Sequence, residues 1–115
     1  KIDDFEEVEL AIKEILSLGK LDVNTLTFLT QTLIKIPKNE SLIKGLLKSI
    51  NLFPKSAKNE INYLLSAIYF KILDNENALS HLKKAYFYNP SKYNYFKELF
   101  PIIPKLQVFK NMLTI

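Results

Sequence analysis

The chain has no cysteine, arginine or tryptophan, and histidine and methionine occur once each. Without cysteine there are no disulfides, thiolate metal sites or cysteine nucleophiles, and the redox compartment stays open. Two glycines leave no material for a loop that cradles phosphate. The longest mostly apolar run, Tyr63 to Leu73, spans eleven residues and is broken by Ser66 and Lys71. A membrane-spanning helix needs about 20 apolar residues, so direct membrane insertion is not expected. All sixteen basic residues are lysine. The planar fork that grips phosphate and guanine belongs to arginine, so the isoelectric point near 9.2 does not translate into a nucleic-acid partner.

The remaining polar residues also argue against catalysis. His81 has only Asp74, Asn77 and lysines nearby in sequence and reads as a partly exposed helix residue. The run Asp74-Asn75-Glu76-Asn77 has the composition of a calcium loop, but Leu79 stands where such a loop requires glycine. It reads instead as a helix cap, as does the formal glycosylation sequon Asn39-Glu40-Ser41. The expectation is a chain that is not an enzyme, with no catalytic residues, no metal and no cofactor.

What is present is an ordinary globular composition for one domain: 115 residues, 48% hydrophobic and 24% charged. Its charge is unevenly spread. The first fourteen residues hold six acids (Asp3, Asp4, Glu6, Glu7, Glu9, Glu14) against Lys1 and Lys13, and the rest holds fourteen lysines against six acids. The abundance of Lys, Asn, Ile, Tyr and Phe fits an A+T-rich, bacterial source. The chain opens on Lys1 and reads as a cut domain or processed product, which leaves cytoplasm, periplasm and cell envelope equally open.

Caps and breakers divide the chain into six or seven helices. Asp3-Asp4 followed by Glu6-Glu7 starts the first, which carries Phe5, Val8, Ile12 and Ile15 and stops at Gly19. Asn24 can cap a second, ending before Pro37, with Leu26, Leu29, Leu33 and Ile36 on one face. Asn39 can cap a third, carrying Leu42, Ile43, Leu46, Ile50 and Phe53 before Pro54. A fourth runs from about Asn59 to Leu73 and a fifth from about Glu76 to Tyr88 before Pro90. Ser91 caps a short sixth that stops at Pro101, and Pro104 opens a seventh with Leu106, Phe109 and Leu113 inward. No window alternates as a strand does. The fold class is all-α, with antiparallel helical hairpins as neighbours.

The hairpins repeat. Counting back from Pro90 gives Leu65, Ser66, Tyr69, Asp74, Ala78, Leu82 and Ala85; the same spacings from Pro54 give Leu29, Thr30, Leu33, Leu42, Leu46 and Ser49. This pattern resembles the tetratricopeptide repeat (TPR), with small residues where paired helices approach and large ones filling the gaps between them. The resemblance implies a TPR-like α-solenoid of two full repeats, 23–56 and 59–92. A half-repeat or capping helix precedes them at 1–22, and a terminal half-repeat and capping helix follow at 93–115. Asn62 departs from the pattern at a bulky apolar position, and Leu73 departs where a glycine usually turns the chain.

The resemblance further implies a protein-interaction module, a scaffold or assembly adaptor, whose concave groove is lined by the first helix of each pair. The residues that map there are Tyr63, Ala67, Phe70 and Lys71, with Thr27, Gln31, Ile34 and Lys35 before them and Asn94 and Lys97 after. Tyr63 and Phe70 would supply contact area and Lys35, Lys71 and Lys97 a line of positive charge. The matching partner is a protein segment with an apolar anchor and acidic flanks. The alternative is a structural domain that self-associates through the apolar tail Ile102–Ile115, because Ile102, Ile103, Val108 and Met112 cannot all face one stack. An RNA-binding helical repeat ranks third.

Overall fold

The structure, a computed structural model, describes residues 2–18, 22–37, 40–51 and 58–113. Among these it contains seven α-helices and no strand: α1 Ile2–Leu18, α2 Val23–Lys35, α3 Glu40–Asn51, α4 Lys58–Lys71, α5 Asn75–Tyr88, α6 Tyr93–Leu99 and α7 Leu106–Leu113. A short 3₁₀ turn, Pro90–Lys92, leads into α6. The expected boundary signals at Gly19, Asn39, Phe53 and Pro54, and the side chains of Asp3, Asp4, Phe5 and Glu6, lie outside what is described.

Local chemistry explains the starts and stops. The cap of α2 is Asp22 rather than Asn24: its carboxylate accepts the Thr25 backbone N–H at 2.7 Å. That bond holds the Asp22 carboxyl below the usual range, since it favours the charged form. Pro37 forces Ile36 into extended backbone and ends the helix there. Asp74 caps α5 as expected, accepting from the Asn77 backbone at 3.3 Å and from its Nδ2 at 2.8 Å. Ser91 does not cap α6; its hydroxyl donates to Asn89 Oδ1 inside the 3₁₀ turn. Pro104 precedes α7 rather than opening it, and its carbonyl accepts the Tyr93 hydroxyl at 2.6 Å.

Packing follows the small residues. The most extensive helix pair is α4 with α5, where Ser66, Ala78 and Ala85 have no accessible surface. Removing bulk lets two backbones approach, and Leu82 and Leu65 on the same two helices are buried as well. The Ser66 hydroxyl donates to the Tyr63 carbonyl, and buried Thr30 donates to the Leu26 carbonyl, so neither is left without a partner. Next in extent come α2 on α4, α1 on α3, α2 on α3 and α3 on α4. In the α1–α3 pair a Cβ at Gly45 would lie 3.3 Å from Leu16 Cδ1, so the absence of a side chain sets that approach.

At the C-terminal end the core is aromatic. Tyr93 stacks on Phe109 with centroids 5.5 Å apart, and Tyr86 meets both rings edge-on at 5.9 and 5.6 Å. This fixes α7 through Phe109. Ile103 is buried and Leu106 half-buried, whereas Val108, Met112 and Leu113 face outward. The inward place expected for Leu113 is therefore corrected. A helix of eight residues anchored by one ring presents one face, and Leu113 lies four residues past it toward the rim.

The α4–α5 turn carries the one positive φ at a non-glycine among the described residues, Leu73 at 64°. Asp74 N–H bonds to the Tyr69 carbonyl at 2.9 Å and Leu73 N–H to the Phe70 carbonyl at 3.1 Å, the paired bonds of a Schellman cap. Leucine sits in the glycine position of that cap and is 83% exposed, so its side chain gains almost no burial there. Left-handed backbone costs a substituted residue about 1–2 kcal/mol, and glycine's greater unfolded-state freedom offsets about 0.5–1 kcal/mol of that. Leu73→Gly is expected to raise stability by about 0.5–1 kcal/mol, read as a higher urea midpoint at unchanged slope. A lower midpoint would mean that Leu73 makes contacts this backbone does not require.

Candidate functional site

The residues expected to line a groove divide into three groups. Those on α4 are mostly inside the protein. Every residue from Ile61 to Ile68 is buried, so this helix has no open face along that stretch. Tyr63 and Ala67 have no accessible surface, which corrects their assignment as contact surface for a partner. The physical reason is α6: Phe96 stacks on the Tyr63 ring at 4.7 Å and 17°, and Tyr93 meets it edge-on at 6.1 Å. The Tyr63 hydroxyl is also spent, donating to the Asn89 carbonyl at 2.8 Å where α5 ends. Burial first, and Tyr86 second, push the phenol up to about 12. Burial raises Tyr93 in the same direction.

The lysines of the expected line serve the fold in part. Lys71 Nζ donates to the Ile34 carbonyl at 2.9 Å, an acceptor in the last turn of α2 that no intrahelical N–H reaches. Lys97 Nζ donates to the Pro101 carbonyl at 3.1 Å. Lys35 is exposed, and Asn94 is exposed on α6. Gln31, Ile34, Phe70 and Thr27 are half-buried, with the Thr27 hydroxyl donating to the Val23 carbonyl at 2.8 Å. On α2 and α4, Lys35 is thus exposed and Phe70 half-buried, whereas Tyr63 and Ala67 have no accessible surface.

His81 has partners that the sequence spacing did not show. Its Nδ1 lies 3.0 Å from Asn62 Oδ1, and its ring stacks on Tyr69 at 5.5 Å and 2°. Asn62, out of place as an apolar position, is the polar group that receives this histidine. Burial first, then the nearby charge of Lys84, holds the imidazole below its ordinary value. Among the described residues no group of three or more His, Asp or Glu is placed to hold a metal ion. None of the described helices is long and apolar enough to cross a membrane.

Exposed apolar surface lies on the outer side of α5 and the end of α7. A groove of about 500 Å³ is lined by Lys83, Tyr86, Phe87, Pro90 and Leu113. A second of similar size, sharing Lys83, is lined by Glu76, Leu79, Ser80 and Lys84. Phe87 is 77% exposed, and Tyr88 meets its ring edge-on at 5.1 Å. Sequence reasoning centred on the first helices of the hairpins and missed this face. The signal was available: Phe87 follows Ala78 by nine residues, about two and a half turns, which places it opposite the packed stripe. Comparison of the chain with family models, with curated proteins and with solved structures finds no match.

Tyr63→Ala, expected from sequence to weaken binding in a stable variant, should instead cost about 3–5 kcal/mol of folding stability. Tyr63→Phe should cost about 1 kcal/mol by removing one of the two hydrogen bonds that the Asn89 carbonyl accepts, the other coming from the Lys92 N–H; an unchanged melting temperature in both would return Tyr63 to the surface. For His81 the folded pKa is depressed, so the unfolded chain binds the proton more readily between that value and about 6.5. Stability is complete above this window and is lost as pH falls through it. The wild-type urea midpoint should therefore drop further than that of His81→Gln between about pH 7.5 and 5.5. Parallel pH profiles would show that the ring titrates as if unfolded.

Proposed function

We propose that this chain is a non-enzymatic protein-interaction module, built as a TPR-like α-solenoid, that engages its partner on the outer face of α5 beside α7. The pairing of helices supports the solenoid reading. Hairpins α2–α3 and α4–α5 stand side by side through α2 on α4, and α1 meets α3 as the second helix of one unit meets that of the next. The small residues Ser66, Ala78 and Ala85 lie within the α4–α5 hairpin, as that architecture requires.

The observation that carries the choice of surface is the Phe87 groove. Large aromatic side chains are enriched at interfaces relative to the rest of the protein surface. Here Phe87 and Tyr88 project from a helix whose inner stripe, Ala78, Leu82 and Ala85, is already fully packed. Neither ring is needed to close the core. Lys83 and Lys84 beside them suit a segment with an apolar anchor and acidic flanks. The residues first mapped to a concave groove then divide in role. Tyr63 and Ala67 build the stack, Lys71 binds the Ile34 carbonyl at the end of α2, Lys97 binds the Pro101 carbonyl in the turn after α6, and Phe70, Gln31, Ile34, Lys35, Thr27 and Asn94 form a secondary strip.

The test compares binding to protein retained by the immobilised chain across three variants. Phe87→Ser combined with Leu113→Ser should weaken binding by roughly tenfold or more, with Phe70→Ala and Lys35→Ala close to wild type. Loss in Phe70→Ala with retention in the double variant would move the partner to the α2–α4 strip.

A further inference from the structure

The two ends of the helix order carry complementary surfaces. On α1, Ile12 is buried and Ile15 and Leu16 half-buried, packing toward α3, while Leu10 is 63% exposed. Glu7, Leu10, Ala11 and Glu14 are all exposed, and their spacing of three, four and seven residues puts them on one stripe. That stripe is an apolar side chain between two carboxylates. The groove on α5 and α7 is the converse, with Phe87, Pro90 and Leu113 beside Lys83, and with Lys84 on the adjoining groove. Residues 2–18 carry six acids and one lysine, whereas 76–113 carry two acids and six lysines.

We propose that the occupant of the α5–α7 face is α1 of a second copy of this chain. Leu10 would seat against Phe87 and Leu113, with Glu7 and Glu14 facing Lys83 and Lys84. The inference rests on the reading of that face as the interaction surface and names its partner. Lengths are compatible, since α1 has 17 residues and α5 has 14, about 25 and 21 Å of helix. The contact joins two different surfaces, so it does not close on itself as a two-fold pair would. Each copy keeps one free α1 and one free groove, and association continues head to tail. Opposite charges at the contact accelerate encounter and make assembly sensitive to salt.

Mass measured by light scattering across concentration at low salt tests this, with Leu10→Glu and Phe87→Glu as single-face variants. Both positions are exposed, and circular dichroism checks that each variant folds. Wild type should grow beyond a dimer as concentration rises. Each variant alone should remain monomeric, and an equimolar mixture should form a dimer and stop, because each copy then offers one working face. About 0.5 M salt should weaken wild-type assembly severalfold. Glu7→Lys with Glu14→Lys should weaken it too, and mixing that variant with Lys83→Glu plus Lys84→Glu should restore it. If Phe87→Glu abolishes assembly and Leu10→Glu does not, the face stands and α1 is not its occupant, which overturns the inference. If both variants assemble as wild type does, the face fails as well. A wild type monomeric at all concentrations overturns the inference outright.

Discussion

The enclosure of α4 is the constraint on which the placement of the other helices depends. Eight consecutive residues, Ile61 to Ile68, are buried, and a helix buried around its whole circumference needs a covering on every side. The covers are α2, α3 and α5 by direct pairing and α6 through Phe96 and Tyr93. Each approach is made possible by a specific economy of volume or polarity. Ser66, Ala78 and Ala85 let α5 come close, and Asn62 is satisfied by His81. The Tyr63 hydroxyl reaches the Asn89 carbonyl at the end of α5. Among the described residues no buried side-chain nitrogen or oxygen lacks a hydrogen-bond partner, which is what a water-free interior demands.

Because α4 is enclosed from Ile61 to Ile68, that stretch offers no exposed surface. The sealing rings come from a helix of only seven residues, α6, which is itself held by the Tyr93–Phe109 stack and by the Tyr93 hydroxyl on Pro104. An aromatic chain thus runs from Tyr63 through Tyr93 to Phe109 and Tyr86, joining four helices. Side chains that take no part in this closure are left outside. Phe87 and Tyr88 on α5 and Leu10 on α1 belong to that set. Their positions on the first and fifth helices, with opposite charge around them, give the proposed interaction its direction.

Much of the fold was legible because its signals are local. Asp74 reads as a cap and is one, Pro37 and Pro90 stop helices, and the small residues at 66, 78 and 85 mark close approach. Even the departure at Leu73 pointed correctly to a turn that wants glycine. What failed depended on relations between distant segments. Periodicity showed that both sides of α4 are apolar around Tyr63 and Ala67, but not that α6 would cover the second side. Lys71 looks like surface charge in sequence, and only the end of α2 brought near it reveals its carbonyl partner, Ile34. The start of α2 illustrates a nearer limit: the sequence placed the cap at Asn24, and the backbone puts it at Asp22.

Tyrosine labelling in dilute protein at high salt tests the enclosure of α4 most directly, since the same chemistry reports on buried and exposed rings. Tyr88 and Tyr95 should react readily, while Tyr63 and Tyr93 should react only on unfolding. Labelling of Tyr63 at a rate comparable to Tyr95 in the folded protein would contradict the enclosure, for α4 would then have an open face.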